Sequence, residues 1–171
     1  MTEQRMMISR APVRISFGGG GTDLPSFYER HGGLTVSTTI NHYVYAALTT
    51  GGQGAVQIVS ADYHTFWRQK QDDLIWDGDL ALPRAVLDHF GLRQGLDVFL
   101  ASQVPPGTGL GSSGSVAVCL INGLAAWDGR PLDRADIAER ACHVEIEKMG
   151  MPVGKQDPYA SAFGGLNCIR Y

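Results

Sequence analysis

Apolar positions change period several times along the chain, and the changes divide it into elements. Residues 34–50, LTVSTTINHYVYAALTT, are crowded with β-branched and aromatic side chains and predict two strands meeting in a turn near Asn41–His42. AVQIVSA alternates with a period of two, and LDVFLASQV, 96–104, predicts a further strand. MMISRAPVRISF is extended as well, but Pro12 lacks a ladder donor, which predicts an edge strand or a bulge. Between these, DLPSFYERHGG predicts a short helix ended by Gly32–Gly33, and DLALPRAVLDHFG a helix ended by Gly91. Ser113 to Trp127 reads as a helix stopped by Asp128–Gly129. A second long helix is expected from Asp133, its N-cap, to Met149, with Gly150 beyond its end. GGLNCIRY begins a strand, and His42, Tyr43 and Tyr45 read as strand core. The chain has no repeat, linker or low-complexity segment.

Composition narrows the function classes. With 171 residues the chain can hold one domain with a real core. Apolar residues are 44% and charged residues 18%, so disorder is not expected. A net charge of −3 offers no basic footprint for nucleic acid. No stretch approaches the ~20 apolar residues of a membrane span, and MTEQRMMISR is too polar for a signal peptide. Three scattered cysteines show neither metal spacing nor a disulfide framework and read as small buried hydrophobes. A cytoplasmic protein without nucleic-acid or membrane partners is expected. The 22 glycines, about twice the usual share, call for a backbone-specific use.

That use is clearest in PPGTGLGSSGS, 105–115, between a strand and a helix. Glycines let backbone N–H groups crowd toward an anion, and the helix N-terminus adds a favourable dipole. Serine hydroxyls there can bind phosphate or Mg²⁺, or they can simply cap the helix. A Walker loop is absent. Gly109, Gly111 and Gly114 spell a dinucleotide fingerprint, but that needs a following strand ending in an acid, and Asp128 sits in a turn before another helix.

Three further places carry candidate chemistry. In APVRISFGGGGTD, Arg14 and Asp23 flank four glycines; the carboxylate suits sugar hydroxyls and the guanidinium suits a charged oxygen, although a surface salt bridge would look the same. In GMPVGKQDPYASAFGG, Asp157 lies in a Gly/Pro loop where it could deprotonate a hydroxyl or act as an N-cap with Pro158 at N1. Measured from Glu145 at about 100° per residue, Ala138, Ala141, Cys142 and Met149 fall within about 60° of it. Glu145 therefore sits in the apolar stripe, where a carboxylate needs a partner such as Mg²⁺ or a buried arginine. Lys155 could sense phosphate or be a solvated loop charge.

PPGTGLGSSGS resembles the phosphate-binding motif P-x-x-x-G-L-G-S-S-A/G-A/S of the galactokinase, homoserine kinase, mevalonate kinase and phosphomevalonate kinase (GHMP) superfamily. The galactokinase string A-P-G-R-x-N-x-I-G-E-H-T-D matches at Ala11, Pro12, Arg14, Thr22 and Asp23, with Gly20–Gly21 in place of Glu-His. That departure resembles the G-G-G-T-D branch, which includes D-glycero-D-manno-heptose 7-phosphate kinases and fucokinases. The heptose kinases also carry G-K/R-Q-D-Q-Y-A-A-A-F-G-G, matched here except at Pro158 and Ser161.

The resemblance implies an α+β fold, with a ribosomal-protein-S5-like N-terminal half over residues 1–171 and a ferredoxin-like C-terminal half lying beyond this chain. It implies a kinase moving the γ-phosphate of ATP to a sugar hydroxyl, most specifically the anomeric O1 of the heptose 7-phosphate. A fucokinase- or galactokinase-like enzyme, an inactive nucleotide- or phosphate-binding fragment, and an NAD-dependent oxidoreductase are the alternatives. Pro106, Gly107, Gly109, Leu110, Gly111, Ser112, Ser113, Gly114 and Ser115 would hold ATP. Ser113 and Glu145 would hold Mg²⁺, Asp157 and Arg14 would be catalytic, and Gly20, Gly21, Thr22, Asp23 and Lys155 would meet the sugar or sugar phosphate. A missing half would expose apolar surface, so a homo-oligomer is expected.

Overall fold

The computed structural model describes residues 5–51, 54–68, 78–92 and 95–171. The first four residues of MTEQRMMISR lie outside that set. The fold is α+β: one mixed sheet with helices packed on one face. The order along the chain is β1 (Met6–Gly18), α1 (Pro25–His31), β2 (Leu34–Thr50), β3 (Val56–Ser60), β4 (Thr65–Arg68), α2 (Ala81–His89), β5 (Leu96–Ser102), α3 (Ser112–Trp127), α4 (Arg134–Cys142), a π-helical turn (His143–Lys148), α5 (Gln156–Phe163) and β6 (Leu166–Arg170).

Strands run β1-β2-β5-β3-β4 across the sheet, with β6 beside the N-terminal part of β2. All pairs are antiparallel except β3 with β5. This is not the parallel, doubly wound sheet that dinucleotide binding uses, and α3 leads to α4 rather than to a strand. The NAD reading therefore loses its scaffold.

The expected turn at Asn41–His42 is absent, because β2 is one strand of 17 residues. The polar pair marks a bulge instead. Pro12 pairs with Tyr43 and Arg14 with Thr39, so residues 40–42 of β2 stand opposite Val13 alone. The edge position expected of Pro12 is met by β1, and the bulge lies opposite it, on β2.

The core lies between the sheet and α3. Val13, Val44, Ala46, Leu48, Ile58 and Val98 point inward against Ala117, Leu120, Ile121 and Leu124. Burying each of the larger side chains contributes roughly 1.5–3 kcal/mol. Gly123 lets α3 lie close on the sheet, since a Cβ there would come within 3.1 Å of Ser9 Cβ and 3.2 Å of Leu48 Cδ1. On the other face, Ile8, Ala47, Phe99, Val59 and Phe66 are register neighbours and form an apolar row, exposed at Ile8, Phe99, Val59 and Phe66. Tyr43 and Tyr45 alternate with buried Val44 and stand on that open face rather than in the core. Cys119 and Cys142 are buried as expected, but Cys168 on β6 is exposed. Among the described residues, no helix is long and apolar enough to cross a membrane.

Candidate active site

Arg14 ties three elements together. Its backbone N–H donates to the Leu110 carbonyl at 3.0 Å, and its Nη1 donates to the Gly109 carbonyl at 2.6 Å. Its Nε donates to Asp157 Oδ1 at 2.7 Å, with Nη2 at 2.5 Å from the same oxygen. The bulge before Arg14 sets this direction. The Ser115 and Ser161 hydroxyls both donate to the Pro12 carbonyl at 2.9 Å, clamping β1 beside the bulge to α3 and α5.

Asp157 stands in the first turn of α5, with Lys155 at the N-cap. The loop and N-cap expectations are thus both corrected: Lys155 takes the cap position, and Asp157 points sideways from a helix. Both Arg14 contacts fall on Oδ1. Oδ2 takes no hydrogen bond among the described residues. Burial pushes the Asp157 carboxyl above its ordinary value, the charge and hydrogen bond of Arg14 oppose this, and the Asp23 charge adds to the upward push.

The glycine turn enters α3 through Gly111, whose φ is +74°. A Cβ at Gly111 would stand 3.0 Å from Asp157 Cγ and 3.3 Å from Arg14 Cγ, so glycine is needed for both its conformation and its space. Gly114 likewise lies against Asp157 and Pro158. A cavity of about 530 Å³ opens over the turn, lined by Arg14, Pro106, Gly107, Gly109, Gly111, Ser112, Ser113 and Asp157. The same cavity is also lined by an apolar set, Leu80, Pro83, Val104, Val116, Met149 and Met151, with Tyr63, Asp62 and Asp79. Sequence reasoning missed this second set. Its residues come from separate turns and element ends that share no motif.

Glu145 is 1% exposed, as its place in the apolar stripe predicts. The α-helical path gives way to a π-helical turn from His143 to Lys148, and this turn carries Glu145. Burial pushes its carboxyl up to about 7; a hydrogen bond from Ser113 lowers it and the Asp157 charge raises it. Its Oε1 is buried without a hydrogen-bond partner. Such an orphan is costly unless something absent from the polypeptide satisfies it. A hard cation fits. Glu145 and Ser113 supply oxygen donors of the kind Mg²⁺ takes, and Mg²⁺ keeps several waters and phosphate oxygens of its own. No group of three or more His, Cys, Asp or Glu side chains competes for that role among the described residues.

Other expected residues are placed differently. Ser115 is fully buried and its hydroxyl serves the Pro12 and Gly111 carbonyls, so it faces the core rather than the cavity. Leu110 packs against the core. Asp23 is buried beside the cavity rather than in its wall. Its Oδ1 accepts from Gly21 N–H and its Oδ2 from Gln156 N–H, both at 3.0 Å. A Cβ at Gly154 would overlap that carboxylate. Thr22 clasps the loop, its hydroxyl lying 2.7 Å from the Gly19 carbonyl and accepting from Leu34 N–H at 3.1 Å. Gly20 is open, with nothing within 4 Å of an added Cβ. Lys155 turns toward the Tyr28 ring, 5.7 Å from its centroid, and away from the main cavity. Ser113, Glu145 and Asp157 are thus brought together, with Arg14 and the glycine turn; the Asp23 loop adjoins them through the Gln156 backbone.

Comparison with known proteins places this arrangement. The chain is similar to the D-glycero-alpha-D-manno-heptose 7-phosphate kinase of Campylobacter jejuni, 30% identical over 169 residues, covering 95% of this chain and 50% of that protein. It is similar to the mevalonate kinase of Pyrococcus abyssi at 26% identity, covering 95% of this chain and 50% of that one. Among solved structures, a D-glycero-D-manno-heptose 1-phosphate kinase from Bacteroides thetaiotaomicron superposes with a TM-score of 0.87 at 29% identity, over 98% of this chain and 56% of that chain. A galactose complex of Lactococcus lactis galactokinase shares the fold, with a TM-score of 0.78 at 19% identity, over 94% of this chain and 42% of that one. The chain spans about half the length of the first two of these relatives. Residues 80–165 match the GHMP kinases N terminal domain, which takes in the glycine turn, Glu145 and Asp157; this chain belongs to the GHMP kinase family.

Proposed function

We propose that this chain is the ATP- and sugar-binding domain of a kinase that moves the γ-phosphate of ATP to a sugar hydroxyl, with the anomeric O1 of D-glycero-D-manno-heptose 7-phosphate as acceptor. The observation that carries the reading is Arg14 spanning the Gly109 carbonyl and Asp157 Oδ1, which puts the anion-binding turn and an acid on one cavity wall.

The open turn at Gly107 and Gly109 and the first N–H groups of α3 suit phosphate oxygens. Asp157, held by Oδ1, has Oδ2 free to orient the acceptor hydroxyl and take its proton. Arg14 favours the ionised form of that carboxylate against the upward push of burial, and it offsets negative charge beside it. Mg²⁺ held by Glu145 and Ser113 would neutralise charge on the phosphoryl oxygens. Asp23 keeps lone pairs for sugar hydroxyls after serving two backbone N–H groups. The apolar side chains of the cavity wall suit a nucleobase. Such a kinase works where ATP is, in the cytoplasm. The exposed apolar row of Ile8, Phe99 and Phe66 supports self-association.

The test is phosphate transfer from Mg-ATP to the heptose 7-phosphate, followed by ³¹P NMR, beside galactose and fucose. Transfer to the heptose phosphate, lost by about 10²–10⁴-fold in Asp157→Ala, is the expected result. Transfer to galactose or fucose instead would reassign the acceptor. Mg-ADP binding with no turnover would instead assign a nucleotide-binding unit without catalysis.

A further inference from the structure

Gln156 opens α5, directly precedes Asp157 and is only 3% exposed. A buried amide has to find its partners within the protein. Both of its printed bonds go to one loop. The side-chain Nε2 donates to Ser16 Oγ at 2.8 Å, and the backbone N–H donates to Asp23 Oδ2 at 3.0 Å. Ser16 lies two residues before the run Gly18–Gly21, and Asp23 lies two residues after it. One residue therefore grips both ends of the glycine loop. Lys155 N–H adds a tie to the Asp23 carbonyl at 3.2 Å, and Gly154 must lack a Cβ, which would overlap the Asp23 carboxylate.

The loop needs such a clasp. Glycine loses more backbone freedom on folding than any other residue, and four stand in succession here. A Cβ on Gly18, Gly20 or Gly21 would meet nothing within 4 Å, so packing gives little hold on this run. Order must come from bonds at its ends. Strand β1 shows the matching arrangement. Arg14 and Ser16 alternate along it and share a face. Arg14 holds Asp157 Oδ1 at 2.7 Å, and Ser16 holds the amide of the residue before it. The two carboxylates are close enough for the Asp23 charge to push the Asp157 carboxyl upward. We infer that Gln156 is a positioning residue: its side chain closes the glycine loop onto α5 and so sets Asp23, which meets the acceptor, at a fixed place relative to Asp157, which takes the acceptor's proton. The inference rests on the sugar-kinase reading and deepens it, by naming the residue through which acceptor and base are held to one another.

The test compares Gln156→Leu, close in size but without the bond, with Ser16→Ala and Ser16→Thr at an exposed strand position that tolerates change. Amide hydrogen exchange at Gly21, Thr22 and Gln156 should quicken about three- to tenfold in Gln156→Leu and Ser16→Ala, the effect of one lost hydrogen bond. It should quicken more than exchange at Val44 and Leu48 in the core of β2, which reports overall stability. Affinity for the heptose 7-phosphate should fall by the same factor with Mg-ADP affinity unmoved. The double variant should bind no more weakly than either single one, because both remove the same bond. Ser16→Thr keeps the hydroxyl and should match wild type. Loop and core amides quickening alike, or acceptor and nucleotide affinities falling together, would make Gln156 a structural amide and overturn the inference. Phosphate transfer by the unaltered chain reads the kinase proposal separately. Transfer without excess exchange in the loop variants sinks the clasp alone. Excess exchange in a chain that neither binds the heptose phosphate nor transfers phosphate keeps the clasp and removes the kinase.

Discussion

Gly111 lies directly beneath the Asp157 carboxylate: a Cβ on it would stand 3.0 Å from Cγ and 3.1 Å from Oδ2. The glycine turn and the acid are thus in van der Waals register, and the side chain missing from one makes room for the other. Gly111→Ala should cost about 1–2 kcal/mol for its left-handed backbone, plus about 1–3 kcal/mol for crowding Asp157 and Arg14. Gly109→Ala shares the positive φ but meets nothing within 4 Å, so it should show only the first cost. Urea unfolding of both variants checks this. Equal losses would mean that the turn tolerates a methyl group under the acid.

Glu145→Gln should change how stability depends on pH. The folded carboxyl titrates at about 7 against an ordinary 4.5. Below 4.5 both states hold the proton and nothing is gained or lost. Between 4.5 and about 7 the unfolded chain releases it while the folded chain keeps it, so stability falls as pH rises. Above about 7 the folded chain carries a buried charge. The glutamine variant lacks this slope and should gain about 1–3 kcal/mol on wild type above the folded pKa. Mg²⁺ should raise the melting temperature of wild type there and leave the variant unmoved. Parallel stability curves for the two proteins would contradict this account of Glu145.

Removing the Arg14 guanidinium takes away what opposes the burial of Asp157. In Arg14→Met the Asp157 carboxyl should titrate higher still, seen in ¹³C NMR of labelled aspartate, and phosphate transfer should fall because less of the base is ionised. The sign follows from the loss of a positive neighbour. A carboxyl that moved down, or stayed, would place the electrostatic control elsewhere.

The Pro12 carbonyl offers a test of the bulge that aims Arg14. Ser115→Ala or Ser161→Ala removes one of two donors and should cost about 1 kcal/mol. Removing both strands the carbonyl, and the double variant should lose more than the sum of the singles. Simple additivity in thermal unfolding would reveal a further donor.

The parts of the fold written in local pattern were legible, and the parts set by distant partners were not. The strand–glycine turn–helix of 96–127 follows from period and composition within one stretch. The facing of Glu145 could be read because its stripe neighbours lie within a turn or two. Asn41–His42 misled because a polar, turn-forming pair also suits a bulge, and only the pairing with Pro12 and Arg14 on another strand decides between them. Asp157 was recognised by its neighbours in sequence, but its helix start depends on packing over Gly114. The apolar set lining the main cavity is assembled from several elements, and no single segment announces it.

The π-helical turn has a consequence for sequence change. A five-residue closure holds one residue more than an α-helix needs along the same path. A one-codon deletion inside His143–Lys148 could be absorbed as ordinary helix, leaving the hydrophobic packing largely whole. The acidic side chain, however, would swing by about 100° around the axis. On the proposed role of Glu145, such a chain would express and melt almost normally yet lose its response to magnesium, so a shortened variant would look intact in a stability assay and differ only in cation binding.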